Sequence, residues 1–228
     1  MKTFNLEGDP RENLGKKASK ELRKQGLIPT VLYGSEPIEL PYTGKLNPGE
    51  KLVEISNGKG IVVTDFTIAF EDVRKLIYTP DIHIVEINLK GNRTAKAILK
   101  EIQFHPVSDA ILHIDFLEVF ENKPITMDVP VILKGHALGV KAGGKLSQSM
   151  RKLRVKGLAE SIPEKLEINV DNLGLGKTIK VGELSFEGVE VMSPKNAIVC
   201  AVKATRGSQN AAALSEAAAP AEDAGKKD

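Results

Sequence analysis

The chain of 228 residues has one cysteine, no tryptophan and only 4% aromatic residues. The lone thiol, Cys200, cannot close an internal disulfide, and with four scattered histidines it offers no zinc-ligand spacing. A disulfide-built secreted scaffold and a zinc module are therefore excluded. The chain also lacks any run of about eighteen apolar residues, the length a membrane-spanning helix needs. Its first residues, MKTFNLEGDP, meet charge at Lys2 and Glu7 and lack the apolar stretch of a signal peptide, so a cytoplasmic protein is expected. Scarce aromatics leave Val, Ile and Leu to build the core, which favours strands. Neither sign of charge dominates: 32 Lys plus Arg stand against 30 Asp plus Glu, a net charge of +2. A nucleic-acid partner must therefore be argued from local clustering.

Phe4 and Leu6 alternate with polar neighbours and predict a short strand that stops at a Gly8-Asp9-Pro10 turn. From Arg11 to Lys24 the run RENLGKKASKELRK predicts a short basic helix, with Leu14, Ala18 and Leu22 recurring every four residues and Gly26 ending it. Ile28 to Gly34 predicts a strand beside that helix. Further strands are expected at Ile38 to Leu40 and Lys51 to Ile55, then a helix from Phe66 to Leu76 on the spacing of Phe66, Phe70, Val73 and Leu76. Ile82 to Leu89 and Arg93 to Phe104 predict a strand pair around Lys90-Gly91-Asn92, and Leu112 to Leu117 a closing strand. The fold class is mainly β with some α (α+β). A boundary is expected near residue 121, separating an amino-terminal domain, 1–121, from a mainly β carboxy-terminal domain, 122–205. Residues 206–228, alanine-rich with Leu214 as their one large hydrophobe, are expected to form a flexible tail.

Gly174-Leu175-Gly176-Lys177-Thr178 ends like a phosphate-binding loop, but Asp171 stands where that motif needs its first glycine, so a tight turn between strands is expected. His113 and Asp115, two apart in a strand, share one face. No nucleophile accompanies them in a recognisable elbow, and recognition explains the pair better than catalysis: His donates and accepts, ionised Asp only accepts. The basic segment carries Arg11, Lys16, Lys17, Lys20, Arg23 and Lys24 against Glu12 and Glu21 and leads into Tyr33. A second cluster, from Lys141 through Lys145, Arg151, Lys152 and Arg154 to Lys156, contains no acid. From the residues alone three readings stay open: an RNA-binding face, a module docking an acidic protein, and an enzyme using His113.

Three phrases read together, GKKASKELRKQGLIPTVLYG at 15–34, ILKEIQFHPVSDAILHIDF at 98–116 and VPVILKGHALGVKAGGKL at 129–146, resemble the family of the twenty-fifth protein of the bacterial large ribosomal subunit, in the long form also called general stress protein Ctc. The resemblance covers roughly residues 2–204. It implies an amino-terminal six-stranded-type β-barrel with flanking helices that binds 5S rRNA at its loop E region, followed by a mainly β domain expected to touch other large-subunit components. The family's RNA-contacting positions match at Arg11, Lys16, Arg23, Tyr33, His113 and Asp115, with Lys17, Lys20, Lys24 and Gln103 on or near the same surface. Lys20-Glu21 and Phe104 stand where relatives often carry additional basic residues, which lowers the local positive charge. No catalytic residue, cofactor, metal cage, membrane or small-molecule substrate is implied, and the expected location is the cytoplasmic ribosome.

Overall fold

A computed structural model of the chain describes residues 2–34, 37–39, 46–56, 59–90 and 93–205. Two compact units partition it: Met1–Met127 with Lys156–Glu164, and Asp128–Val155 with Lys165 onward. The expected tail, 206–228, lies outside the described residues.

The first unit strings together β1 (Lys2–Pro10), α1 (Lys16–Lys24), β2 (Leu27–Tyr33), β3 (Ile38–Glu39), β4 (Glu50–Ser56), β5 (Lys59–Ala69), α2 (Phe70–Ile77), β6 (His83–Leu89), β7 (Arg93–Phe104) and β8 (Ile111–Glu118). Six strands pair in the order β1-β6-β7-β8-β2-β5, and β5 returns to β1, closing a barrel; β3 and β4 extend β5 outside the ring. The β1–β6 and β8–β2 seams are parallel and the other four antiparallel. Closure removes exposed edges from the ring. Alternate residues point inward, so Leu6, Ile28, Leu32, Phe66, Ile68, Val85, Ile87, Ile114 and Phe116 form one core, with Phe66 and Phe116 tilted against each other at 6.4 Å.

Three expectations are corrected. β1 does not stop at Gly8 but runs through it to Pro10; a Cβ on Gly8 would sit 2.6 Å from the Phe66 ring, so the glycine makes room for a core aromatic rather than turning the chain. The segment Phe66 to Ala69 is strand, not helix. Thr64, Phe66 and Ile68 are buried at period two, and the helix begins only at Phe70, with Glu71 and Asp72 in its first turn where the helix dipole favours acids. The basic helix begins at Lys16 rather than Arg11, so Leu14, 41% exposed, precedes it and is not part of its apolar seam.

One end of the barrel is tied by charge. Arg93 of β7 donates to Glu50 of β4 at 2.6 Å and to both oxygens of Glu118 of β8 at 3.1 Å. Burial works to raise the Glu50 carboxyl, but hydrogen bonds from Asn47 and the Arg93 guanidinium outweigh it, so its pKa lies below the ordinary 4.5.

The linking segment Val119–Pro124 leads into β9 (Ile125–Lys134). There follow α3 (Leu138–Lys141), β10 (Lys145–Gln148), β11 (Lys152–Gly157), β12 (Leu166–Asn169), β13 (Thr178–Lys180), a single 3-10 turn at Val181–Glu183, β14 (Val189–Val191) and β15 (Ile198–Lys203). They form a four-stranded sheet, β12-β9-β11-β14, and a three-stranded one, β10-β15-β13. Ala137, Val170, Leu173, Cys200 and Val202 pack as a core, with Leu133, Leu146 and Ile179 against it. Gly174 to Thr178 is the expected turn: Lys177 donates its N–H to the Gly174 carbonyl, and Gly176 has φ +74°.

Candidate nucleic-acid interface

Helix α1 has no buried residue; only Ala18, Ser19 and Leu22 are half-buried, and Lys16, Lys17, Lys20, Arg23 and Lys24 are exposed. Among the described residues none of those four lysines forms an ion pair, so their charge is presented outward. The helix is positioned by two arginines. Arg23 Nε donates to the Leu112 carbonyl at 3.0 Å, tying α1 to the start of β8 across 89 residues of sequence. Arg11, in the loop before α1, donates through Nε to the Asn13 carbonyl and through Nη2 to Ser19 Oγ at 2.8 Å, while its N–H reaches the Asp65 carbonyl of β5.

The outer face of β8 carries His113 and Asp115, because Ile114 and Phe116 take the inward positions. Antiparallel register sets Gln103 opposite His113 and Glu101 opposite Asp115, and parallel register sets Val31 beside Asp115, two residues before Tyr33. Gln103, Glu101, His113, Asp115 and Tyr33 therefore form one outer band across three strands. Burial pushes the Tyr33 phenol above its ordinary 10.0, and the Asp115 and Glu101 carboxylates push it further. His113 Nδ1 lies 2.6 Å from Asp115 Oδ1, both side chains about one-quarter exposed. One Asp115 oxygen is thus engaged within the protein, leaving His113 Nε2 and the second carboxylate oxygen with hydrogen-bonding capacity to spare.

All ten sequence-predicted residues accordingly fall in two neighbouring groups bridged by Arg23: the helix lysines and Arg11, and the band of Tyr33, Gln103, His113 and Asp115. Sequence reasoning missed Glu101, Ser19 and the Leu112 carbonyl. Glu101 was within reach, since it stands two residues before Gln103 and so shares its face. No group of three or more His, Cys, Asp or Glu side chains arranged to hold a metal occurs among the described residues.

Comparison with known proteins adds an independent line. The Ribosomal L25p family matches residues 6–57 and 45–116, and the C-terminal domain of ribosomal protein TL5 matches residues 124–206. A protein of Porphyromonas gingivalis named large ribosomal subunit protein bL25 is 53% identical over 212 residues, covering 93% of this chain and 98% of that protein. Proteins of the same name from Parabacteroides distasonis and Bacteroides thetaiotaomicron are 53% identical over 218 residues and 52% identical over 197, covering 99% and 87% of their own lengths. With both halves matched in order and half of all residues shared, this chain, a structural protein rather than an enzyme, belongs to the ribosomal L25p family, in the two-domain form that carries a TL5-type carboxy-terminal domain.

Proposed function

We propose that the chain is a structural component of the bacterial large ribosomal subunit, acting in the cytoplasm, and that residues 1–121 bind 5S rRNA at its loop E region. The observation that carries the reading is the juxtaposition of four exposed α1 lysines without ion partners, among the described residues, with a band of short-range hydrogen-bonding groups on β2, β7 and β8. A-form RNA displays a wide, shallow minor groove, and an internal loop of non-Watson–Crick pairs gives that surface a distinctive shape. Lys16, Lys17, Lys20 and Lys24 pair with phosphates and supply affinity; Gln103, His113, Asp115 and Tyr33 fix register. Arg11 and Arg23 hold the helix at the band and reach phosphate with their remaining N–H groups. Asp115 is the diagnostic residue. Phosphate repels a carboxylate, so Asp115, already holding His113 through one oxygen, is placed to accept from base N–H groups or 2′-hydroxyls through the other. Residues 122–205 contact other large-subunit components.

Binding of the full chain to 5S rRNA, with loop-E-disrupted RNA as competitor at roughly 0.15 M salt where nonspecific affinity is weakened, tests the reading. Tight binding lost on loop disruption is expected. Asp115→Ala is expected to lose discrimination as well as affinity, whereas Lys17→Ala lowers affinity alone and reduces the salt slope by about one. Equal binding to both RNAs overturns loop E recognition.

A further inference from the structure

The basic run from Lys141 to Lys156 is continuous in sequence, but the fold divides it. Arg154 lies on β11 in the four-stranded sheet, and its Nε pairs with Asp128 at 3.0 Å. Lys145 opens β10 in the three-stranded sheet, directly opposite Lys203 of β15, a residue outside the run. Like charges directly opposed on an antiparallel pair, with Cβ atoms about 4.5–5.5 Å apart, destabilise it. The ladder here carries that cost without an internal counterion: among the described residues, neither lysine forms an ion pair. The same is true of Lys141 on α3 and of Lys177, whose carbonyl accepts the Val202 N–H at 3.0 Å and which therefore borders the end of β15. All four lysines are exposed.

The surface between them is unusual in composition. Register aligns Ser147, Ala201 and Thr178 across the three strands, on the same face as Lys145 and Lys203. The opposite face, through Leu146, Val202, Cys200 and Ile179, packs in the core. Small side chains let a ligand backbone approach the sheet closely. The corner leading to Lys145 is held in place: Gly144 donates its N–H to the Gly139 carbonyl at 2.8 Å, and Thr205 Oγ1 donates to the Gly143 carbonyl at 2.7 Å. Protein-binding surfaces centre on aromatic and arginine anchors and are depleted in lysine. A face of Lys, Ser, Ala and Thr instead suits a polyanion contacted through its phosphates without base reading.

We propose that this face of the second domain binds a ribosomal RNA phosphate backbone, with Lys145 and Lys203 as the central pair and Lys141 and Lys177 at its margin. The proposal rests on the chain being a ribosomal component but not on loop E recognition by the barrel. It is tested by acetylating lysines with acetic anhydride in the isolated full chain and in intact large subunits containing it, reading each site by mass spectrometry, and by ultraviolet irradiation of the same subunits to identify peptides carrying nucleotide adducts. Lys145 and Lys203 are expected to be protected several-fold in the subunit, with nucleotide adducts on their peptides, while Lys134, ion-paired on the surface with Glu167, serves as a reference. Undiminished reactivity of Lys145 and Lys203 overturns the proposal. Protection without adducts, in subunits whose other RNA-bound peptides are adducted, overturns it in favour of an acidic protein partner. The α1 lysines in the same samples report separately on the barrel, so loss of protection there with retention at Lys145 and Lys203 sinks the loop E reading and leaves this one standing.

Discussion

Replacing Arg93 with alanine should be among the most damaging single changes to the barrel. The guanidinium spans β4, β7 and β8, donating to Glu50 and Glu118, whose side chains are only 7% and 12% exposed. Breaking a fully buried ion pair from one side costs 3–5 kcal/mol, because the partner charge is left without compensation. Here the Arg93 side chain is itself 29% exposed, and water reaching the vacated site screens the remaining carboxylates. We therefore expect a loss of about 2–3 kcal/mol. Urea unfolding followed by tyrosine fluorescence isolates the effect, since the second unit, Asp128–Val155 with Lys165 onward, contains no tyrosine. The pH dependence is a second check. In the native protein the lowered Glu50 pKa contributes stability that is present above its ordinary 4.5 and lost as pH falls below it. In Arg93→Ala the Asn47 hydrogen bonds remain but the guanidinium no longer opposes burial, so the Glu50 pKa lies higher than in the native protein and the variant loses less stability as pH falls. The stability gap between the two proteins should narrow between pH 7 and pH 4. A loss under about 1 kcal/mol at pH 7, or a gap that widens toward acid, would show that the Arg93 ion pairs do not hold these strands together.

Three further outcomes follow from the same structure. Asp115→Asn should lower the ionisation midpoint of Tyr33, read by ultraviolet titration against a Tyr33→Phe reference, yet leave it above 10.0, because burial is the largest cause of the rise; an unmoved midpoint would remove Asp115 from the phenol's surroundings. Gly49→Ala should destabilise the barrel by about 2–3 kcal/mol, since Gly49 has φ +82° and a Cβ there would lie 2.6 Å from the Asp65 carbonyl oxygen; a neutral effect in urea would show that β5 yields easily. Cys200 is fully buried, and burial pushes its thiol above the ordinary 9.0, partly opposed by a hydrogen bond with the Ile179 backbone. It should resist a disulfide reagent at pH 8 until denaturant opens the second domain, and rapid stoichiometric labelling of the native chain would contradict that burial.

What could be read in the sequence was whatever depends on local period. β2, β6, β7 and β8 stand close to where alternation placed them, and the two-residue spacing of His113 and Asp115 put both on one face before any pairing was known. The errors arose where one spacing satisfies two geometries. Phe66, Phe70, Val73 and Leu76 fit a helical stripe, yet the first of them belongs to a strand whose inward residues are Thr64, Phe66 and Ile68, and the stripe is real only from Phe70 onward. Gly8 carried the composition of a turn but the function of a gap, and only the approach of Phe66 from β5 distinguishes the two.

Long-range register was not legible at all. Nothing local says that Arg23 will find the Leu112 carbonyl 89 residues away, or that Lys145 will face Lys203 across a ladder. Both contacts are consequences of which strands become neighbours. Ring closure decides the first: β2 must lie parallel to β8 to complete the barrel, and α1, leading directly into β2, is carried to the start of β8 with it. The helix charges therefore meet the His113 and Asp115 band because of barrel topology rather than any signal within either segment. If the proposed interface is correct, a change that preserved every residue of it but weakened the β2–β8 seam, such as replacing inward-facing Ile114 with a polar residue, should weaken RNA binding along with stability, whereas outward-facing Lys17→Ala should weaken RNA binding alone.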